Sequence, residues 1–181
     1  MKLQETFEFL EDLLLNKRES IGLHTGVPFI MLVYDPKKEI ECGEEIKNTE
    51  EKLISRNLNV LTLPINKFIF EYLKKEGKLE EVFEREKESP VEVREELFNI
   101  CKYHLKDYVL EKIASIKPDI VFVTNVASFY PYYRVSSMFY TLENDIKVPF
   151  VVFYPGEVKE DGKLYFMGEL ASSEYYRAWI I

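Results

Sequence analysis

Three short runs of unbroken hydrophobicity restrict this chain to very few folds. They stand at residues 28–34 (PFIMLVY), 119–124 (DIVFVT, apolar apart from its ends) and 149–154 (PFVVFY). A strand with one wetted face alternates apolar and polar residues. An unbroken run has no face to offer water, so both of its faces must be covered. A fourth run, 60–64 (VLTLP), is shorter and is stopped by Pro64. Stretches of helical periodicity separate the runs, and strand–helix–strand with a short return is the βαβ unit of a parallel sheet. The fold expected is therefore α/β, in three layers, helix–sheet–helix, around a mostly parallel sheet of four strands.

The helical stretches supply the outer layers. Leu3, Phe7, Leu10, Leu13 and Leu14 recur at helical spacing, so residues 1–20 contain an amphipathic helix whose stripe packs on the rest of the domain. A helix is expected at 44–56, and Asn66 caps another that carries Phe68, Ile69, Tyr72 and Leu73 as far as Gly77. The charged segment 79–88 reads as a helix with a solvated face. Ser89, Pro90 and Glu92 form a good helix start, and the stripe from Val93 to Ile116 extends that helix to about residue 117. His104, on or beside the stripe, is expected to be partly buried and structural. After the fourth run, Asp161-Gly162 makes a hairpin-type turn at 158–163. Residues 164–167 then return as an antiparallel strand at the C-terminal edge. The tail at 175–181 (YYRAWII) is too apolar to hang free and should pack on the domain.

Composition narrows the class further. A length of 181 residues suits one α/β domain spanning 1–181. The net charge of −8 argues against direct contact with nucleic acid, which needs a basic face. Cys42 and Cys101 lie far apart and outside any C-x-x-C spacing, so neither a disulfide framework nor a zinc site is expected. The N-terminus is too acidic for a signal peptide, and no apolar run approaches the roughly 18 residues of a membrane span. A cytoplasmic protein without membrane contact follows as the expectation.

Chemistry has few places to reside. The turn after the first strand, 37–43, has one glycine, Gly43, and no Gly-Lys-Ser/Thr, so the topology is P-loop-like without a P-loop. Ser128, Ser136 and Ser137 lack a nucleophile elbow, and His24 and His104 are the only histidines. No catalytic residue, metal ligand or cofactor is assigned. The polar turn after the third strand is more promising, because ligands and partners dock at the carboxyl ends of strands in open α/β sheets. Asn125, Ser128 and Tyr130 occupy that turn, and Arg134 falls in the first turn of the next helix. Tyr154 and Glu157 at the end of the fourth strand should converge on the same edge, and Tyr176 and Arg177 of the tail complete the candidates. Arg134 could hold a carboxylate or phosphate in bidentate fashion. The commoner use of such a residue is an ion pair with Glu157 or another local acid that fixes the turns.

The ordered set of short motifs resembles the BrxB family of bacteriophage exclusion (BREX) systems. It comprises Val27-Pro28-Phe29 before Tyr34-Asp35-Pro36, Thr124-Asn125-Val126 through Tyr130-Pro131 to Arg134, Val148-Pro149-Phe150 through Tyr154-Pro155-Gly156-Glu157, and Glu174-Tyr175-Tyr176-Arg177-Ala178. The resemblance implies a small cytoplasmic component of a multi-gene anti-phage system. Its companions there include a DNA methyltransferase, a large ATPase and PglZ, a protein of the alkaline-phosphatase superfamily. The family has no well-established enzymatic activity, which leaves no catalytic residue to carry over. The function expected is a non-catalytic adaptor or assembly subunit that binds another BREX component, PglZ first among them, or a second copy of itself. The alternative is a degenerate nucleotide- or phosphate-binding domain with its site at the carboxyl ends of strands three and four. A hydrolase with an unrecognised acid–base pair is a third, weaker reading.

Overall fold

The four apolar runs are strands lying side by side. In a computed structural model that describes residues 2–172 and 176–181, they are β1 (Phe29–Tyr34), β2 (Val60–Pro64), β3 (Ile120–Thr124) and β4 (Phe150–Val158). Their order across the sheet is β2-β3-β4-β1, and all three pairings are parallel. Register alternates the side chains cleanly between faces. Met31, Val123 and Val152 point into one apolar cluster, whereas Leu32, Phe122 and Phe153 point into the other.

Chain direction explains which helices cover which face. The chain leaves β1 for the far side of the sheet, then works back through β3 to β4. Right-handed crossovers made in opposite directions put their helices on opposite faces. Accordingly α1 (Leu3–Asn16) and α2 (Glu39–Ser55) contribute to one cluster. The other contains residues of α3 (Lys67–Lys75), α4 (Leu79–Glu88), α5 (Pro90–Ile116) and α6 (Val135–Leu142). The stripe of α1 is spent on the core. Leu10 is fully buried and Phe7 stacks on Phe153 with ring centroids 5.8 Å apart.

Several boundaries differ from the sequence reading, each for a local reason. The helix expected from residue 44 begins at Glu39, after a 3-10 turn at Pro36–Lys38 in which Asp35 accepts a hydrogen bond from the Lys37 amide at 3.0 Å. Glu39 and Glu41 favour a helix N-terminus, and Gly43 is simply a helical residue. His104 is exposed rather than partly buried, with its ring stacked on Tyr72 at 4.7 Å. β4 does not stop at Pro155 but runs on to Val158, because a new partner takes over where β1 and β3 end. That partner is β5 (Leu164–Phe166), the expected antiparallel strand, reached through a turn in which Gly162 has φ +75°. A further strand, β6 (Leu170–Ala171), pairs with β5. From the tail, β7 (Trp179–Ile180) adds to the free edge of β1. Tyr175 and Glu174 lie outside the described residues.

Candidate functional site

The site begins where β3 ends. Asn125 adopts the left-handed conformation at φ +60° and accepts a hydrogen bond from the Thr124 hydroxyl at 3.1 Å. One 3-10 turn follows, at Val126–Phe129, whose Val126 and Phe129 side chains are buried. The Ser128 amide donates to the Asn125 carbonyl at 3.2 Å. Asn125 and Ser128 themselves face solvent. Their contribution is to shape the turn. A cis peptide joins Tyr130 to Pro131, and the Tyr133 amide reaches back to the Phe129 carbonyl at 3.1 Å. Arg134 is extended and stands as the N-cap of α6, one step before the helical turn in which the sequence placed it.

The second wall comes from β4 and its hairpin. Tyr154 points toward the face that carries α6. Phe166 of β5 lies between two tyrosines, with ring centroids 5.5 Å from Tyr154 and 5.4 Å from Tyr130. Tyr176 meets Tyr154 at 6.2 Å. Together with Arg134, Ser136 and the β6 residues Leu170 and Ala171, these residues line a partly open cavity of about 150 Å³. Gly156 makes the closure possible, because the backbone of Tyr165 passes where a side chain would begin.

Electrostatically the cavity is unusual for so acidic a chain. Among the described residues its lining includes Arg134 and no carboxylate. The ion pair expected between Arg134 and Glu157 is not formed, and no described acid lies within 4 Å of Arg134. Glu157 sits instead on the exposed outer part of β4, opposite Tyr165. Burial holds the Tyr154 phenol well above the usual tyrosine range, and the neighbouring Tyr176 hydroxyl adds to this against the opposing charge of Arg134. Tyr154 therefore stays protonated at neutral pH. The Ser136 hydroxyl oxygen is buried and has no hydrogen-bond partner among the described residues.

Of the eight candidates from sequence, Tyr130, Arg134, Tyr154 and Tyr176 are brought together, whereas Arg177 has another task. Its Nη1 donates to Glu143 at 3.1 Å and its Nη2 to the Thr25 carbonyl at 3.2 Å, which ties the tail to the end of α6 and to the loop before β1. Sequence reasoning missed Ser136, Phe166 and Leu170. The Asp161-Gly162 turn was the available signal for Phe166, since a hairpin on β4 must fold back over the strand end. Elsewhere, Cys42 and Cys101 are buried and their thiols are pushed up to about 12, which leaves them poor nucleophiles. Among the described residues no three His, Cys, Asp or Glu side chains gather as a metal set, and no helix is long and apolar enough to cross a membrane.

A model of the family described as BREX protein BrxB matches residues 61–181. That span contains the whole described lining of the cavity. No curated protein and no solved structure matches the chain.

Proposed function

The chain belongs to the BrxB family of BREX proteins, a component of a BREX defence system, and from that premise we propose that it serves as a non-catalytic adaptor. In this reading the cavity edge between α6 and the β5–β6 hairpin docks another component of the system, PglZ first among them. The observation that carries the reading is the size of the cavity. Pockets for cofactors and drug-sized ligands run to roughly 300–1,000 Å³, and about 150 Å³ is room for one side chain. Around it Tyr130 and Leu170 remain 42% and 47% exposed. Exposed aromatic and aliphatic residues beside an arginine and a small pocket are the makings of an interface anchor.

The degenerate nucleotide-binding reading keeps Arg134 but has to seat a base, a ribose and phosphates in that same volume, with no glycine-rich loop to wrap them. It is the weaker of the two. Tagged protein co-expressed with the other components of its system tests the adaptor reading. It should co-purify with at least one of them, and its deletion should release that component from the assembly. An assembly that forms unchanged without this chain refutes the proposal. Melting curves shifted by ATP or GTP would favour the nucleotide reading, since ligand at about 100 times its Kd adds roughly 2.7 kcal/mol to stability.

A further inference from the structure

The chemistry of the cavity specifies its occupant more narrowly than its size does. Arg134 at the mouth supplies a planar cation that grips carboxylates through paired hydrogen bonds. The Ser136 oxygen is buried without a partner among the described residues. A buried hydroxyl left unpaired costs free energy, which a turn about its Cα–Cβ bond toward a bound acceptor would recover. The first-turn amides of α6, whose Val135 and Ser136 line the cavity, have no acceptor within their own helix. The remaining walls are rings and aliphatic groups, with Tyr130, Tyr154, Phe166 and Leu170 foremost.

Such a site is polar and cationic along one side and apolar around the rest. A free phosphate would meet the cation but would be desolvated against aromatic walls for no return. A neutral apolar side chain would fill the volume and leave both Ser136 and Arg134 unanswered. We infer that the cavity is a carboxylate subsite for a glutamate side chain presented by a partner protein, with its methylenes against the rings of Tyr130, Tyr154 and Phe166 and its carboxylate on Arg134, where the Ser136 hydroxyl joins it after a turn about its Cα–Cβ bond. The inference rests on the adaptor reading for its source of glutamate, but the chemistry can be tested without the partner.

The probe is acetyl-glutamate-methylamide, titrated into the ¹⁵N-labelled protein against acetyl-glutamine-methylamide and inorganic phosphate. Glutamate should move the amide signals of Val135, Ser136 and Ser137 in a saturable way, at least tenfold more tightly than either comparison. Arg134→Gln should weaken it by tenfold or more, and Arg134→Lys, which keeps the charge without the fork, should fall between. The same spectra report that each variant is folded. Equal responses to glutamate and glutamine overturn anion recognition, an equal or stronger response to phosphate makes this a free-oxyanion site, and no saturable response removes the subsite. Co-purification of Arg134→Gln with the partner keeps the two proposals separable. Lost glutamate binding with an intact complex locates docking elsewhere. An intact glutamate site in a chain that captures no component refutes the adaptor reading alone.

Discussion

A Cβ on Gly156 would lie 2.5 Å from the carbonyl oxygen of Tyr165 and 2.9 Å from the ring of Tyr154. No rotamer relieves a clash with backbone, so β5 would have to move away from β4. Gly156→Ala should cost about 1–3 kcal/mol, the usual range for overpacking, and should loosen the Tyr154 wall of the cavity. Gly43 gives the opposite sign. It is helical, with nothing within 4 Å of an added Cβ, so Gly43→Ala should stabilise by about 0.5–1 kcal/mol. Urea unfolding of both variants checks the pair.

Arg177 joins three parts of the chain through one guanidinium, with acceptors on Glu143 and on the Thr25 carbonyl. Arg177→Ala should lower stability by about 1–2 kcal/mol, the worth of charge-assisted bonds that are partly exposed. Arg177→Lys should recover less than half, since an ammonium lacks the fork that reaches both acceptors. Glutamate binding at the cavity should be unchanged in both, and thermal melts with the titration described above will tell.

The sheet was legible because doubly buried strands announce themselves, as residues 28–34 and 149–154 did. The pocket was half legible. Tyr130, Arg134 and Tyr154 follow from strand-end logic alone, since β3 and β4 are neighbours and both of their ends face one edge. Arg177 is ambiguous in sequence, because an arginine beside tyrosines looks the same whether it grips a ligand or the chain's own carbonyl. Glu157 stands away from the cavity because β4 runs past Pro155, the residue at which the sequence pattern ends the strand. The continuation of β4 depends on hydrogen bonds to β5, a tertiary partner that no local pattern around Pro155 encodes. Ser136 carries no sequence signal, because its interest lies in being buried without a partner.

The two cysteines make stability fall at alkaline pH. Both thiols are pushed from about 9 to about 12 by burial. Between those values the unfolded chain has lost these protons and the folded chain keeps them, so unfolding gains with rising pH. Each thiol should remove about 1 kcal/mol per pH unit above 9. A double Cys42→Ala, Cys101→Ala variant should start less stable but show a flatter decline between pH 9 and 11. In the native protein at pH 8, neither thiol should react with a disulfide reagent until denaturant is added.

Tyr130 and Leu170 both line the cavity, one before α6 and one on β6, and both keep apolar surface in water. If this edge docks a partner, truncating either removes contact area from the complex, and for Tyr130 it also removes the ring contact with Phe166. Leu170→Ala should leave the melting temperature within about a degree, and Tyr130→Ala should lower it by about 2–4 degrees for its lost ring contact. Affinity for the captured component should fall roughly tenfold or more for Tyr130 and by less for Leu170. A change in melting temperature with undiminished capture would make these residues structural. Surface plasmon resonance on the purified pair reads the first quantity and calorimetry the second.

Ser136 should separate stability from binding. Its hydroxyl oxygen is buried and unpartnered among the described residues, so the free protein bears a desolvation cost that alanine would not. Ser136→Ala should therefore be neutral or more stable, by up to about 1 kcal/mol, although it deletes a polar group from a wall of the cavity. The same change removes a donor to the bound carboxylate, and glutamate binding should weaken by about three- to tenfold. A residue kept only for folding predicts the reverse, with stability lost and binding indifferent. Ser136→Thr, which retains the hydroxyl and adds a methyl, should keep the affinity if the methyl finds room beside Tyr133. Denaturant titration and the glutamate titration of these two variants distinguish a hydroxyl held for a ligand from one that merely fills space.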